Sequence, residues 1–305
     1  MTSTLGMVGL GRMGGNMSRR IARAGLRVVA WDRAPEARAA LADEPRVVAA
    51  ETLDALIDAL PTPRSVWLML PAGAPTEDTL KSLAGLLSRG DTVIDGANAM
   101  YKDSQRHAVE LAAKGLRFVD AGVSGGVWGL DNGYGLMVGG EAGAVRDIEP
   151  VLKALAPSPE RGWVHCGKAG AGHYAKMVHN GIEYGMMQAY AEGFALMRAK
   201  EELGLDVAKI AEAWRHGTVI RSWLLDLTAE FLAEDATLES IAPFVADSGE
   251  GRWTAVESID LGVPTPVMTV ALMERFASQG RADYTNRLLA RMRHAFGGHA
   301  VKPKG

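Results

Sequence analysis

The sequence predicts an α/β domain with a mainly parallel sheet, followed by an all-α domain. Three observations lead to this prediction. An apolar run at 4–9 leads into a glycine-rich turn and a helical pattern. Short apolar strands then alternate with helical segments as far as residue 168. After Ala171 the strand patterns vanish and long helical patterns take over. We therefore expect one domain at 1–168 and a second at 169–305.

The composition limits the classes of protein to which the chain can belong. With 305 residues and 48% hydrophobic content, it is long enough to bury two cores. A net charge of −3 without a lysine- or arginine-rich block argues against a nucleic-acid partner. The single cysteine, Cys166, excludes an intramolecular disulfide and fits a reducing compartment. No apolar run reaches the roughly 18 residues that span a membrane, and no signal peptide is evident. The composition predicts a soluble, cytoplasmic protein.

The glycine-rich turn is the first motif that carries chemistry. A helical pattern closed by Gly25 follows it, and then a second strand at 28–31 that ends at Asp32. A G-x-G-x-x-G motif alone is weak, but strand, glycines, helix, strand and terminal acid together indicate a Rossmann-type dinucleotide site. The glycines permit a tight turn and let a pyrophosphate approach the helix N-terminus. The residues expected at the pyrophosphate are Gly9, Leu10, Gly11, Arg12, Met13 and Gly14.

The end of the second strand bears on the choice of cofactor. A carboxylate at Asp32 can accept hydrogen bonds from the adenosine ribose hydroxyls and would repel a 2′-phosphate. Arg33, the next residue, can instead pair with that phosphate. The sequence therefore favours NAD and leaves NADP as the alternative.

The later strands predict one crevice at their carboxyl ends. Strands are expected at 65–70, 92–94 and 118–119, with a helix at 103–114. Strands at 136–138 and 163–165, with a helix between them, complete the predicted sheet. Because ligands bind beyond the carboxyl ends of strands in such sheets, the residues after each strand should face one crevice, with those at 70–72 and Asn98 at the cofactor. These residues are Leu70, Pro71 and Ala72, then Asn98, and then Ser124, Gly125 and Gly126, whose hydroxyl and open backbone N–H groups suit a carboxylate.

The helix predicted at 172–200 has an unusual polar face. Lys176, His179, Asn180 and Glu183 fall at i, i+3, i+4 and i+7, which places them on one side of a helix. The flanking residues are apolar, so we expect the other sides to be buried; these flanks are Met177, Val178, Ile182, Met186 and Met187. Glycines within the helix, Gly181 and Gly185, indicate that something packs very close. The pattern predicts an active-site helix. Further helices are expected at 206–215, 222–232, 253–260, 265–277 and 285–296.

Several segments together resemble the 6-phosphogluconate dehydrogenases of the β-hydroxyacid dehydrogenase superfamily. DAGVSGGVWG at 120–129 resembles their substrate loop, and GAGHYAKMVHNGIEYGMMQAYAE at 170–192 resembles their catalytic helix. IRSW at 220–223, GRWTA at 251–255 and RHAFGGH at 293–299 resemble their phosphate-binding segments. The resemblance covers essentially the whole chain and points to the short form of the family. Asp32 stands where NADP-dependent members carry Asn-Arg-Thr, and Arg252 stands where the longer members carry lysine.

The resemblance implies oxidative decarboxylation of 6-phosphogluconate to ribulose 5-phosphate and CO₂, without a metal. In the implied mechanism Lys176 is the general base and then the acid, and Glu183 protonates C1 of the product. The implied ligands of the substrate are Asn98, Ser124, Gly125, Gly126, His179, Asn180, Tyr184, Arg221, Arg252, Thr254, Arg293 and His299. It further implies a homodimer or homotetramer in which the C-terminal tail completes the neighbouring subunit's site.

Two other functions remain compatible with the residues. A β-hydroxyacid dehydrogenase that acts on a non-phosphorylated acid would not need Arg221, Arg252 or Arg293. A non-catalytic dinucleotide-binding module would not need both Lys176 and Glu183, and the presence of both argues against it.

Overall fold

The computed structural model describes residues 3–303. Its strands are β1 (Thr4–Val8), β2 (Arg27–Trp31), β3 (Val47–Ala49), β4 (Ser65–Leu68), β5 (Thr92–Asp95), β6 (Arg117–Ser124), β7 (Gly135–Gly140) and β8 (Trp163–Gly167). Its α-helices are α1 (Arg12–Arg23), α2 (Pro35–Ala39), α3 (Leu53–Asp58), α4 (Ala74–Leu86), α5 (Tyr101–Ala112), α6 (Gly129–Asn132), α7 (Ala142–Asp147), α8 (Glu149–Leu155), α9 (Ala171–Ala199), α10 (Val207–Trp214), α11 (Trp223–Glu234), α12 (Glu250–Asp260), α13 (Pro266–Ser278) and α14 (Asp283–Gly297).

The strands form an eight-stranded sheet in the order β3-β2-β1-β4-β5-β6-β7-β8. Every neighbouring pair is parallel except β6 and β7. The strand order reverses beside β1, which creates the crevice where such sheets bind ligands. The α-helices that follow β8 contain no strand among them within the described residues. The predicted fold class is confirmed.

Apolar side chains are buried on both faces of this sheet. Met7 belongs to a core on one face, and the next residue, Val8, belongs to a core on the other. Successive strand residues point to opposite faces, so a strand that is covered on both sides must be apolar throughout. This is why the strands appear in the sequence as continuous apolar runs rather than as alternating patterns.

The structure contains elements that the sequence patterns do not predict. α2, β3 and α3 lie between β2 and β4, and β3 is a three-residue edge strand, too short to give a pattern. Between β7 and β8 a single helix was predicted, but α7 and α8 are separate. Pro150 lies in the first turn of α8, where a proline is tolerated, whereas within a continuous helix it would break a backbone hydrogen bond.

The chain divides into two compact units between Met177 and Val178, inside α9. The boundary at 168 that the sequence suggests stays a prediction. The second unit has small cores, one around Tyr184, Ala271 and Leu272. The prediction that the flanks of α9 are buried holds for Met177 but is wrong for three side chains that the described helices leave uncovered: Ile182, Met186 and Met187 are 52%, 38% and 40% exposed. No helix among residues 3–303 is both long and apolar enough to cross a membrane.

A charged cluster joins α4 to α5 in the first unit. Arg106 donates a hydrogen bond to Glu77 at a distance of 2.5 Å, and the ring of the buried His107 lies 2.8 Å from the same carboxylate. The hydrogen bond from Arg106, helped by His107 and opposed by burial, lowers the pKa of Glu77 to about 2. A carboxylate whose pKa is depressed in the folded state stabilises the fold above its unfolded pKa, and this stability is lost as the pH falls toward the folded pKa.

We expect Glu77→Gln to lower the free energy of unfolding at pH 7 by about 1–3 kcal/mol, because the hydrogen bonds from Arg106 lose their anionic acceptor at a partly buried site. The difference from wild type should shrink between about pH 4.5 and pH 2, where Glu77 becomes protonated. Urea unfolding followed by circular dichroism across this range measures both effects. Glu110→Gln is the matched control, since Glu110 contacts Arg106 at 3.3 Å but is 59% exposed. Equal losses in the two variants would contradict the prediction.

Candidate active site

The glycine-rich turn after β1 has the shape that a bound dinucleotide requires. Gly9 has a φ of +91°, and a Cβ there would lie 2.5 Å from the carbonyl oxygen of Met69. A Cβ on Gly14 would lie 1.9 Å from the carbonyl oxygen of Gly9. Gly11, by contrast, has open space around it, and it caps α1 without any side-chain hydrogen bond. The first and third glycines therefore close the turn, while the second leaves room for a pyrophosphate.

Asp32 links the end of β2 to this turn. One carboxylate oxygen accepts from the backbone N–H of Leu10 at 2.7 Å, and the other accepts from Ala34 at 2.9 Å. Each oxygen keeps a lone pair for a ribose hydroxyl, so the carboxylate fits the role predicted for it. Arg33 is exposed, and Arg38 donates to the backbone carbonyl of Asp32 at 2.7 Å. The sequence does not point to Arg38 as a neighbour of Asp32, because no pattern predicts α2, the helix that carries it.

The other predicted residues of the first unit follow strands that end at the same edge. Leu68, Asp95 and Asp120 are in register across β4, β5 and β6, so β4 and β5 end side by side, and β6 runs four residues further, to Ser124. The segments at the carboxyl ends of these strands contain Leu70–Ala72, Asn98 and Ser124–Gly126. Asp95 accepts from the N–H of Ala97 at 3.0 Å, which folds the turn that leads to Asn98. Gly125 and Gly126 have φ values of +132° and +52°, which favour glycine at both positions.

Lys176 lies in the second turn of α9, against β6. A Cβ on Gly122 would lie 2.4 Å from the Cβ of Lys176. The root of the lysine side chain therefore packs directly on the strand that ends in the Ser124–Gly126 loop. Lys176 is partly buried.

The rest of the polar face of α9 belongs to the second unit. The Nδ2 of Asn180 donates to the buried carboxylate of Glu250 at 2.8 Å. The Nδ1 of His179 lies 3.0 Å from the Oδ1 of Asn180 and 3.9 Å from a carboxylate oxygen of Glu183. Glu250 was not predicted. It lies at the start of α12, 70 residues from Asn180, and only the tertiary structure brings the two together.

Tyr184 and Arg252, both predicted phosphate ligands, meet at a carboxylate. The hydroxyl of Tyr184 donates to Asp247 at 3.1 Å, and the Nε of Arg252 lies 2.5 Å from the other oxygen of Asp247. Burial alone would raise the pKa of Asp247, but donors from Gly249, Tyr184 and Arg252 hold it below its ordinary value. The guanidinium of Arg275 stacks 3.3 Å from the centre of the Tyr184 ring. No sequence pattern points to Asp247 or Arg275 as part of this site.

The remaining predicted ligands are spread over the second unit. Thr254 is buried and donates to the backbone carbonyl of Glu250. Arg221 lines a pocket of about 440 Å³ whose other walls are mainly apolar. Arg293 lies on the exposed helix α14, and His299 follows it. In the part of the chain that the structure describes, neither Arg221 nor Arg293 forms an ion pair, so both guanidinium groups are available to an anion.

Comparison with known proteins gives one consistent family. The model for the NAD binding domain of 6-phosphogluconate dehydrogenase matches residues 4–167, and the model for the C-terminal domain of that enzyme matches residues 172–301. An NAD(+)-dependent, decarboxylating 6-phosphogluconate dehydrogenase from Haloferax volcanii is 42% identical over 98% of this chain and 99% of its own length.

Solved structures give the same fold. A 6-phosphogluconate dehydrogenase from Plasmodium falciparum, solved in apo form, with NADP+ and with 6-phosphogluconate, has a TM-score of 0.83 at 29% identity and covers 99% of this chain and 67% of its own. A 3-hydroxyisobutyrate dehydrogenase from Mycobacterium tuberculosis has a TM-score of 0.73 at 24% identity and covers 93% of this chain and 94% of its own. At that identity the second likeness concerns the fold alone.

The glycines of α9 allow a test of the close packing predicted for this helix. A Cβ on Gly181 would lie 2.8 Å from Cγ2 of Thr254 and 3.1 Å from Sδ of Met268, whereas Gly193 has nothing within 4 Å. Alanine gains about 1 kcal/mol of helix propensity at either position, but overpacking costs about 1–3 kcal/mol. We expect Gly193→Ala to raise the free energy of unfolding and Gly181→Ala to lower it, as measured by urea titration. A gain in both variants would show that Gly181 is not closely packed.

Proposed function

We propose, since this chain belongs to the 6-phosphogluconate dehydrogenase family, that it oxidises and decarboxylates 6-phosphogluconate to ribulose 5-phosphate and CO₂, with NAD as the preferred cofactor. One observation carries the proposal: a single helix, α9, holds Lys176 and Glu183 seven residues apart on one face. This helix packs on the strand that leads to the Ser124–Gly126 loop. The reaction needs a base at the hydroxyl and an acid at the neighbouring carbon, and this face offers both groups.

The glycine-rich turn and Asp32 are the groups proposed to hold the cofactor. When bound, the nicotinamide supplies the acceptor for two electrons from C3 of the substrate. The open backbone at Gly11 leaves room for the pyrophosphate at the start of α1. Asp32 would accept the ribose hydroxyls, and its negative charge would disfavour a 2′-phosphate. Arg33 remains the residue through which NADP could be used.

Lys176 and Glu183 are proposed to carry out the proton transfers. The uncharged Nζ of Lys176 takes the proton of the C3 hydroxyl as C3 is oxidised to a ketone. The β-keto acid then breaks its C1–C2 bond and releases CO₂, and the ammonium of Lys176 stabilises the enolate oxygen by a charge-assisted hydrogen bond. Glu183 gives a proton to the carbon that has lost CO₂, which becomes C1 of the ketose. Each step then has a donor or an acceptor from the chain.

The remaining residues are proposed to bind the substrate. Those assigned to its carboxylate and hydroxyls are Asn98, Ser124, Gly125, Gly126, His179 and Asn180. Those assigned to its phosphate are Tyr184, Arg221, Arg252 and Thr254. Because Asp247 already accepts from Tyr184 and Arg252, a phosphate that bound there would share or displace this carboxylate. Arg252 is therefore a weaker candidate than Arg221, which has no carboxylate partner in the described part of the chain.

We further propose that a second copy of the chain completes the site with its C-terminal tail. Apart from Ala290, the residues of α14 whose burial the structure describes are exposed, including Leu288, Leu289 and Met292. Such an apolar stripe on an exposed helix favours association, and a homodimer or homotetramer would cover it. Arg293 and His299 lie at the end of this helix and would reach the phosphate of the neighbouring subunit.

The proposed reaction is tested by following NADH and NADPH formation with 6-phosphogluconate and, in parallel, with unphosphorylated gluconate. We expect turnover of the phosphorylated acid and a higher kcat/KM for NAD than for NADP. Asp32→Asn should narrow this preference at least tenfold, because the repulsion of the 2′-phosphate is removed, while Asp43→Asn, at an exposed carboxylate, should not change it. A wild-type preference for NADP would show that Arg33 dominates. Equal activity on gluconate would reject a role for the phosphate.

Replacing the proposed base should abolish turnover but not cofactor binding. We expect Lys176→Met to lower kcat by at least about 10²–10⁴-fold, the usual contribution of general base catalysis, with the Kd for NAD within twofold of wild type. Glu183→Gln should lower kcat at the protonation step. Lys209→Met, at an exposed lysine of α10, is the control and should match wild type. A loss of only tenfold for Lys176→Met would mean that another group is the base.

Removing the tail should weaken substrate binding alone. Deletion of residues 293–305 should raise the KM for 6-phosphogluconate at least tenfold, since charge-assisted bonds worth about 1.5–3 kcal/mol each are lost. NAD binding should stay within twofold. Arg293→Ala should reproduce much of the effect, whereas Arg287→Ala, on the same exposed helix, should not. A fully active monomer by light scattering at assay concentration would disprove the shared site.

A further inference from the structure

A fully buried carboxylate caps the helix that carries Lys176. Asp120 lies in the middle of β6 with no exposed surface. One of its oxygens accepts from the backbone N–H of Gly170 at 2.6 Å, and the other accepts from the N–H of His173 at 2.8 Å. These are N–H groups at the start of α9, where a helix leaves its first donors without intrahelical partners. The cap therefore comes from a strand that is 50 residues away in the sequence rather than from the helix itself.

Glycines bring this strand and the helix into backbone contact. Asp120 and Gly122 point to the same face of β6, because strand side chains alternate. A Cβ on Gly122 would lie 3.0 Å from the carbonyl oxygen of Gly172, in addition to its overlap with Lys176. A Cβ on Gly139, in β7, would lie 2.5 Å from the carboxylate of Asp120. No side chain separates the carboxylate from the helix end, so its position sets the position of the first turn.

A second buried bond holds the same turn from another side. The Oγ of Ser104, on α5, lies 2.7 Å from the Nδ1 of His173. Both side chains are buried, at 0% and 2% exposure. His173 is thus held through its backbone by Asp120 and through its ring by Ser104. Lys176 follows three residues later, at the next turn of the helix.

From this geometry we propose that Asp120 is the positioning residue for the Lys176 amine. The strand that holds the substrate loop at Ser124–Gly126 also fixes, four residues earlier, the start of the helix that carries the base. Loop and base thereby share one rigid support. A displacement of about 1 Å at a catalytic group can lower a rate by 10²-fold, so a residue that sets this distance acts on kcat. The inference rests on the proposed role of Lys176.

The test replaces Asp120 with asparagine, which can accept one of the two N–H groups but presents an N–H₂ to the other. Asp91→Asn is the matched control. Asp91 is equally buried, accepts from the backbone N–H of Arg64 at 2.6 Å and of Ser88 at 2.9 Å, and lies just before the amino end of β5. It also pairs with the guanidinium of Arg64 at 3.1 Å, so its loss costs at least as much stability as the loss of Asp120. Both variants lose a carboxylate that binds two backbone N–H groups, but only one of these carboxylates caps α9.

We expect Asp120→Asn to lower kcat at least tenfold while the KM for NAD stays within twofold, at a temperature where both variants are folded. Asp91→Asn should lose comparable stability and keep kcat within twofold. Without any substrate, hydrogen exchange of peptides covering 170–176 should accelerate in Asp120→Asn and not in Asp91→Asn. If Asp120→Asn does not fold, Gly122→Ala serves instead and should also lower kcat at least tenfold with NAD binding retained.

Three results would overturn the inference. These are an Asp120→Asn or Gly122→Ala enzyme with kcat within twofold of wild type, an equal loss of kcat in Asp91→Asn, or unchanged exchange at 170–176. Failure of the proposed reaction can be distinguished from failure of this inference, because in the first case the wild-type protein itself does not turn over 6-phosphogluconate. The ratio of variant to wild-type kcat is then measured on the hydroxy acid that wild type does oxidise, and the exchange experiment needs no substrate.

Discussion

The carboxylate of Asp120 at the start of α9 is the interaction on which the candidate site depends. The helix α9 begins at this cap, and the side chains of its first turns are placed by where it starts. Once the first turn is fixed, Lys176 lies on β6. A buried carboxylate without partners would be costly, and the two helix N–H groups remove that cost while they fix the helix.

In two places of the first unit, glycines allow backbone segments to pack directly against each other. Gly9 and Gly14 let β1, the turn and α1 meet without side chains between them. Gly122 and Gly172 do the same for β6 and α9, since a Cβ on Gly172 would lie 2.7 Å from the carbonyl oxygen of Asp120. In both places rigid backbone, rather than mobile side chains, sets the geometry. Sites held in this way keep reacting groups within the small tolerance that catalysis requires.

The second unit is organised by carboxylates that occupy polar groups proposed for the substrate. Glu250 accepts from Asn180, and Asp247 accepts from Tyr184 and pairs with Arg252. Buried side chains of this kind are stable only when they are paired, so these acids keep the polar face ordered within the chain. A substrate phosphate is negatively charged, as Asp247 is, and has the same preference for arginine and hydroxyl donors. The chain thus holds its proposed phosphate ligands around a group of similar chemistry.

The sequence by itself determined the fold class, the glycine-rich turn with Asp32, and the polar face of α9, because each depends on residues that are close along the chain. Periodicity and turn chemistry act over a few residues, so strands, helices and the spacing from Lys176 to Glu183 can be deduced from them. Only the tertiary structure brought Asp120 to the start of α9, Glu250 to Asn180 and Asp247 to Tyr184. These pairs are separated by 50 to 70 residues, and nothing local marks either partner. The tertiary structure also leaves Ile182, Met186 and Met187 exposed, since a side chain is buried only where another element packs against it.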